Sequence, residues 1–202
     1  DQVFVKGWKQ LLLPVFAIIN LFIFIYLFRF LFPVLTPEQI RADPAPFQKF
    51  GLLKWEDGKD HQLPQDFADM QGWKELATKT YNVYQQLPDT EKSKTLIIAD
   101  NYGEAGAINY YNHGKINVVS MNADYIRWFP PGPYNTIIAI KERDGIIEPV
   151  YLQLFQSVTF KDSIQNQWAR ERGTSVFLIK GVSPRFKEIL DSAIAARENF
   201  RD

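Results

Sequence analysis

The chain has 202 residues, and its 23 Lys and Arg side chains equal its 23 Asp and Glu side chains, so its formal net charge is zero. This balance, with no basic repeat, aromatic RNA-binding signature or zinc-finger spacing, argues against nucleic acid as a partner. The absence of cysteine excludes disulfides and thiolate ligands, and two histidines, His61 and His113, do not form a metal-binding cluster in the sequence.

The N-terminal segment predicts a transmembrane helix. Leu11–Phe28 carries no charge and holds roughly fourteen Leu, Ile, Val and Phe residues. At about 0.3 to 0.6 kcal/mol each they contribute on the order of 6 kcal/mol to insertion, which outweighs Pro14 and Asn20. The run reaches the roughly 20 residues of a span if Arg29 snorkels and the aromatic residues up to Phe32 are included. A cleaved signal peptide is the rival interpretation, but its apolar core would be shorter and would end in small residues.

The flanking charges predict the orientation of this helix. Lys6 and Lys9 precede it and no basic cluster follows it, so the positive-inside rule places the N-terminus in the cytoplasm and the following domain in the periplasm or outside the cell. Arg29 works against this orientation. Without Lys6, Lys9, Arg29 and Asp1, 20 basic and 22 acidic residues remain, a net of about minus two, so no polybasic patch attracts anionic lipid. Because the chain begins with Asp1 instead of methionine, we expect a fragment or a processed protein.

A linker and a helix follow. Residues 36–65 are rich in Pro, Asp, Gly and Gln and predict a linker with at most a short strand near Leu52–Trp55. Apolar side chains then recur at helical spacing, which predicts a helix with one face against a sheet. These side chains belong to Trp73, Leu76, Ala77, Thr80, Tyr84 and Leu87.

The next stretch organises the rest of the chain. Thr95–Asp100 is a short β-branched run, and Asn101–Tyr111 is a glycine-bearing turn that passes into helix-compatible residues. Such a unit places the turn at the carboxyl end of a sheet, where ligands bind in open α/β folds. The G-x-x-G spacing of Gly103 and Gly106 is neither a dinucleotide fingerprint nor a P-loop. Turn geometry and close helix packing explain the two glycines better than ligand binding does.

The remaining pattern predicts an α/β fold. Strands are expected at residues 116–120, 136–140, 156–160 and 175–179, with helices at 147–154 and from Ser183-Pro184 onward. The proline-rich segment Met121–Pro133 predicts a long loop that carries Tyr125, Arg127 and Trp128. We therefore expect a Rossmann-like, mostly parallel sheet of about five strands after one transmembrane helix. The predicted domains are residues 1–35 for the helix and its flanks, 36–65 for the linker and 66–202 for an extracytoplasmic α/β domain.

Several stretches resemble a known family. The residues that carry the resemblance are Leu63–Leu76, Asn101–Gly106 with Tyr110-Tyr111, Ser120 with Tyr125, Trp128 and Pro130, Asn166 with Ala169, and Lys180-Gly181 with the closing helix. Together they are similar to the C-terminal region of bacterial family 39 glycosyltransferases, relatives of protein O-mannosyltransferases and of the lipid A aminoarabinose transferase. The match spans nearly the whole chain. It departs after Ser120, where the family commonly has Gly-His-Asn and this chain has Met121-Asn122-Ala123.

The resemblance implies a polytopic membrane enzyme that moves a sugar from a polyprenyl-phosphate carrier to an extracytoplasmic acceptor. The acidic catalytic residue of such enzymes lies in an early extracytoplasmic loop, which would precede residue 1. The resemblance therefore implies no catalytic residue, metal or cofactor in this chain, and any divalent metal would belong to the missing catalytic part. The implied partners are membrane lipid, the upstream transmembrane helices of the same protein, and a lipid-linked sugar or glycan acceptor.

Seven residues are candidates for binding: Asn101, Tyr102, Gly103, Glu104, Gly106, Tyr125 and Trp128. Tyr102, Tyr125 and Trp128 could form an aromatic platform for a sugar ring, although packing of the loop on the sheet is the simpler interpretation. Glu104 is a candidate general base that the dipole of its helix would keep ionised, although a first-turn charge that complements the dipole is the simpler interpretation.

Two other classes of function stay open. A membrane-tethered ligand-binding domain would use the turn at residues 101–106 and would need no partner helices. A hydrolase would combine Glu104, His113 and Asp100, but the sequence has no G-x-S-x-G elbow and no checkable pair of carboxylates.

Overall fold

The computed structural model describes residues 11–32 and 34–199. Its contacts divide the chain into two compact units with the boundary between Phe67 and Ala68. Lys6 and Lys9, on which the predicted orientation rests, lie outside the described residues.

The first unit begins with the predicted apolar helix. This helix, α1, covers Leu12–Leu31, and none of its residues is buried. Twenty residues at about 1.5 Å each give roughly 30 Å, the thickness of the hydrocarbon core. The amide of Asn20 donates to the carbonyl of Phe16 at 2.8 Å, so the one mid-span polar side chain is hydrogen-bonded within the helix. Length and composition suit either a membrane span or a signal sequence.

The predicted linker contains more helix than expected. Thr36 and Gln39 form a capping box at the start of α2, Pro37–Ala42, and α3 covers Ala45–Lys49. Near Leu52–Trp55, where at most a short strand was predicted, an isolated bridge between Lys54 and Asp60 forms around the turn. A Pro- and Asp-rich sequence can form short helices, because these residues favour the starts of helices as well as loops.

The second unit contains a five-stranded sheet. The strands are β1 (Thr95–Ala99), β2 (Val118–Ser120), β3 (Thr136–Lys141), β4 (Ser157–Ser163) and β5 (Ser175–Lys180). Their order is β2-β1-β3-β5-β4. This arrangement confirms the α/β class and the number of strands.

The prediction of a mostly parallel sheet is wrong. β1 pairs in parallel with β2 and β3, whereas β5 pairs antiparallel with β3 and β4. A parallel crossover usually needs a full helix. The helix predicted at 147–154 is shorter than expected, because α8 covers only Pro149–Leu152. Between β4 and β5 there is no helix. The sheet is therefore mixed, with its parallel half at β2, β1 and β3.

The remaining helices are α4 (Gln65–Asp69), α5 (Trp73–Gln85), α6 (Asp89–Lys92), α7 (Tyr102–Tyr111) and α9 (Pro184–Asn199). The proline-rich segment 121–133, predicted as a loop, contains a 3₁₀ helix at Ala123–Trp128.

Two hydrophobic clusters form on the two faces of the sheet. Ile97, Ile138 and Val176 pack in one cluster with residues of α5 and α7. Leu96, Ile137 and Ile179 pack in the other with Leu190 of α9. Because alternate residues of a strand point to opposite faces, both clusters draw on successive apolar residues, as at 96–99 in β1 and 137–140 in β3. The stripe predicted on α5 is confirmed, since its apolar residues join the first cluster.

Ile138, in the middle of β3, has no exposed surface. We expect Ile138→Ala to lower the free energy of unfolding by about 2 to 5 kcal/mol, because it removes buried methyl groups and leaves a cavity. Denaturant unfolding of the full chain in detergent, followed by tryptophan fluorescence, measures this change. Ile146→Ala is the control, because Ile146 is 64% exposed and its loss should change the stability by less than about 0.5 kcal/mol. Equal effects of the two substitutions would contradict the burial of β3.

Candidate functional site

The parallel half of the sheet defines the edge at which a site is expected. β1, β2 and β3 run in the same direction, so their carboxyl ends lie together. Asp100 directly follows β1, Asn122 follows β2 by two residues, and Lys141 ends β3. The turn from β1 into α7 is at the same edge.

The start of α7 is held by a capping box. The side-chain oxygen of Asn101 accepts from the backbone N–H of Glu104 at 2.9 Å, and a carboxyl oxygen of Glu104 accepts from the N–H of Asn101 at 3.3 Å. The side-chain amide of Asn101 also donates to Glu142 at 2.9 Å. Asn101 and Glu104 thus satisfy backbone groups that a helix start would otherwise leave unpaired.

Glu104 is fully buried, which decides its charge. The pKa of this carboxyl is raised from 4.5 to about 8: burial is the largest cause, the backbone N–H of Asn101 partly opposes it, and the charges of Asp100, Glu142 and Glu171 add to it. The expectation that the helix dipole keeps Glu104 ionised is therefore wrong. Removing a carboxylate from water costs more free energy than its interaction with the helix dipole provides. Glu104 is therefore neutral at pH 7.

The two glycines of α7 lie in close contacts. A Cβ at Gly106 would lie 3.2 Å from the hydroxyl oxygen of Tyr125, and a Cβ at Gly103 would lie 3.1 Å from the side-chain oxygen of Asn101. Both distances are tighter than most Cβ contacts, so the glycines allow the 3₁₀ segment and the helix cap to approach α7. This geometry favours the packing interpretation of Gly103 and Gly106.

The structure brings two of the three candidate aromatic residues together. The rings of Tyr125 and Trp128 meet edge to face with centroids 4.6 Å apart. Tyr125 is half-buried against the α5/α7 cluster, while Trp128 is 54% exposed. Tyr102, the first residue of α7, is 62% exposed. Tyr125 therefore packs against the core, and the sugar platform of Tyr102, Tyr125 and Trp128 stays a prediction.

A cavity of about 400 Å³ lies between the sheet and α9. Ile98, Ile137 and Ala139 form its floor, Phe186 and Leu190 of α9 form one wall, and the segment 146–155 between β3 and β4 forms another. Its volume falls in the range of about 300 to 1,000 Å³ that is typical of small-molecule sites. Most of its surface is apolar, so it suits a hydrophobic ligand or part of one.

Polar groups line the edge of this cavity where the parallel strands end. Asp100 accepts from the ammonium of Lys141 at 2.6 Å and from the N–H of Glu142 at 3.1 Å. The side-chain amide of Asn122 donates to the backbone carbonyl of Asp100 at 2.9 Å. The guanidinium of Arg197 donates to the carbonyl of Met121 and to the side-chain oxygen of Asn122. These bonds tie the ends of the three strands to α9.

The seven predicted binding residues do not line the cavity, which instead reaches Asp100, Asn122, Lys141, Glu148 and Arg197 at its polar edge. Among these, only Asp100 was a candidate functional residue from the sequence, as part of a possible hydrolase. Asn122 and Lys141 could have been found, because each lies at or just after the end of a predicted strand. Arg197 could not, because the sequence does not show which strands α9 covers.

The structure contradicts the hydrolase arrangement. Glu104 lies in the first turn of α7, whereas His113 follows the last turn and is exposed. Nine residues at about 1.5 Å separate them by roughly 14 Å along the helix, beyond direct proton transfer. His61 lies 3.0 Å from Asp57 in the first unit. Within residues 11–32 and 34–199, no group of three or more His, Asp or Glu could hold a metal ion.

Comparison of the chain with protein-family models, with curated proteins and with solved structures found no match.

The raised pKa of Glu104 predicts that the stability of the folded protein depends on pH. Between pH 4.5 and about 8 the folded protein keeps the proton that the unfolded chain releases, so stability falls as pH rises through this window and then levels off. At about 1.4 kcal/mol per pKa unit, this contribution reaches about 3 to 6 kcal/mol. Glu104→Gln cannot ionise, so its stability relative to the wild type should rise steadily over the same window.

Denaturant unfolding of both proteins at several pH values measures this difference. Glu142→Gln is the control, because Glu142 is exposed and its substitution should leave most of the pH dependence in place. A stability difference between Glu104→Gln and the wild type that stays constant from pH 4.5 to 8 would show that Glu104 is ionised in the folded protein.

Proposed function

We propose that this chain is the last transmembrane helix and the extracytoplasmic, non-catalytic domain of a polytopic membrane glycosyltransferase. The enzyme would transfer a sugar from a polyprenyl-phosphate donor to an acceptor outside the cytoplasm. The observation that carries the proposal is α1, a 20-residue apolar helix with no buried residue on the same chain as an α/β unit. The resemblance to family 39 glycosyltransferases supplies the reaction.

The contacts of the acidic residues support a non-catalytic role. Asp100 is paired with Lys141, and Asn101 and Glu104 cap α7. A general base must reach the proton that it removes, whereas Glu104 is fully buried and neutral at pH 7. These groups stabilise the edge of the sheet. The domain therefore contributes by binding a ligand or by positioning a substrate. The catalytic residues and any divalent metal would belong to the upstream part of the enzyme.

A membrane-tethered ligand-binding domain is the second candidate. The cavity of about 400 Å³ between the sheet and α9 favours it, because an apolar cavity with a polar edge is the usual form of a small-molecule site. This candidate needs only α1 as an anchor. The two candidates agree on the location of the domain and differ in what precedes Asp1.

The upstream reading frame separates the two candidates. The transferase predicts several further hydrophobic spans and an acidic extracytoplasmic loop encoded before Asp1, and membranes that contain the full-length product should transfer labelled sugar from a polyprenyl phosphate. Membranes that contain only residues 1–202 should show no transfer. A frame that encodes α1 as its single span, or transfer by residues 1–202 alone, would contradict the transferase.

The predicted orientation can be tested because the chain has no native cysteine. Lys74 is exposed on α5, so Lys74→Cys should react with a membrane-impermeant maleimide in intact cells or spheroplasts. Gln2→Cys, on the predicted cytoplasmic side of α1, keeps Lys6 and Lys9 and should react only after permeabilisation. Labelling with the opposite pattern would place the domain in the cytoplasm.

A further inference from the structure

The wall of the cavity is open to solvent along an apolar strip. Ile146 and Tyr151 line the cavity from the segment between β3 and β4, and Ile189 lines it from α9. These three side chains are 64%, 36% and 37% exposed, respectively. The cavity therefore continues to the surface as an apolar groove between this segment and α9.

A cluster of exposed apolar side chains lies beside the groove. The apolar ridge, as we name it, consists of Ile146, Val150, Tyr151 and Leu152. Val150 is 59% exposed and Leu152 is 44% exposed, so the short helix α8 presents its apolar residues to the surroundings. Scattered exposed apolar residues are common, but a cluster beside an apolar groove marks an interaction site.

We propose that the apolar ridge contacts the bilayer and that the cavity holds one hydrocarbon chain of a membrane lipid. This proposal deepens the proposed function and rests on its membrane anchor. Because α1 is part of the same chain, a lipid surface is present at a high effective concentration, which a partner in solution does not reach. A group the size of a water molecule occupies about 30 Å³. The cavity of about 400 Å³ therefore has room for on the order of a dozen methylene groups.

The charges at the cavity favour a hydrocarbon chain over an anionic headgroup. Its lining has two acidic side chains, Asp100 and Glu148, and two basic side chains, Lys141 and Arg197. Lys141 is already paired with Asp100, and Arg197 donates to Met121 and Asn122. Since the charges balance and the cations have partners, we expect neutral lipid to suffice and salt to have little effect.

The experiment uses the full 202-residue chain in phosphatidylcholine vesicles that contain a phospholipid with a photoreactive group on its acyl chain. We expect crosslinks on the segment 146–155 and on α9, in addition to α1. Ala193 lines the cavity, so Ala193→Phe should fill part of it and lower the crosslinks to α9 at least fivefold. Ala195→Phe is the matched control, because Ala195 is exposed on the same helix, and its crosslinks should change less than twofold.

A second pair of variants tests the apolar ridge without altering the core. Val150→Asp places a charge on the ridge and should lower the crosslinks to α9 at least threefold, while Gln153→Asp, at an exposed polar residue beside α8, should change them less than twofold. Circular dichroism confirms that each variant keeps its secondary structure.

Crosslinks confined to α1, or crosslinks to α9 that Ala193→Phe and Val150→Asp leave unchanged, would overturn the proposal. Crosslinking that requires anionic lipid and disappears at high salt would also overturn it, because it would indicate a headgroup site. These outcomes are distinct from failure of the proposed function. That function fails if the upstream frame encodes no further spans, whether or not α9 is crosslinked.

Discussion

The burial of β1 on both faces is the constraint on which the rest of the structure depends. Leu96 belongs to the cluster with α9, while Ile97 and Ala99 belong to the cluster with α5 and α7. A strand with two apolar faces must lie between two covering layers, and in this sheet its neighbours on both sides, β2 and β3, run parallel to it. This arrangement fixes the edge at which Asp100 and the turn into α7 lie.

The same burial explains the chemistry at that edge. The capping box of α7 places Glu104 inside the protein, where loss of water raises the pKa of its carboxyl to about 8. Asp100, one residue beyond β1, is half-buried and keeps Lys141 as a partner. Two acidic side chains four residues apart thus have different surroundings, because Glu104 is desolvated without a cation, whereas Asp100 is paired with Lys141.

Much of the fold follows from local sequence patterns. The apolar run of α1 was predictable from its length and composition, the stripe of α5 from its helical period, and the strands β1 and β3 from their short β-branched runs. The direction of β5 was not predictable, since parallel and antiparallel strands share the same period and only the connections distinguish them. The 3₁₀ helix at Ala123–Trp128 was missed because prolines on its C-terminal side indicated a loop.

The site was less predictable than the fold. The sequence predicted a site at the edge of the sheet where Asp100 and Asn101 lie, whereas the cavity lies on the α9 side of that edge. Its walls combine β3, the segment before β4 and α9, and Arg197 reaches it from almost a hundred residues beyond β1. No pattern in the sequence states which face of a sheet a distant helix covers. The residues of the predicted turn, Asn101 and Glu104, form the cap of α7, and their role in binding stays a prediction.

The central proposal is that α1 anchors the chain in a membrane and that the cavity of the α/β domain holds a hydrocarbon chain of a lipid. An experimental structure of the full chain in a lipid nanodisc tests it most directly. The account predicts α1 inside the disc, the apolar ridge at the lipid surface and elongated density in the cavity between the sheet and α9. A structure with α1 outside the lipid, or with the cavity closed by its own side chains and the ridge facing water, would contradict the account.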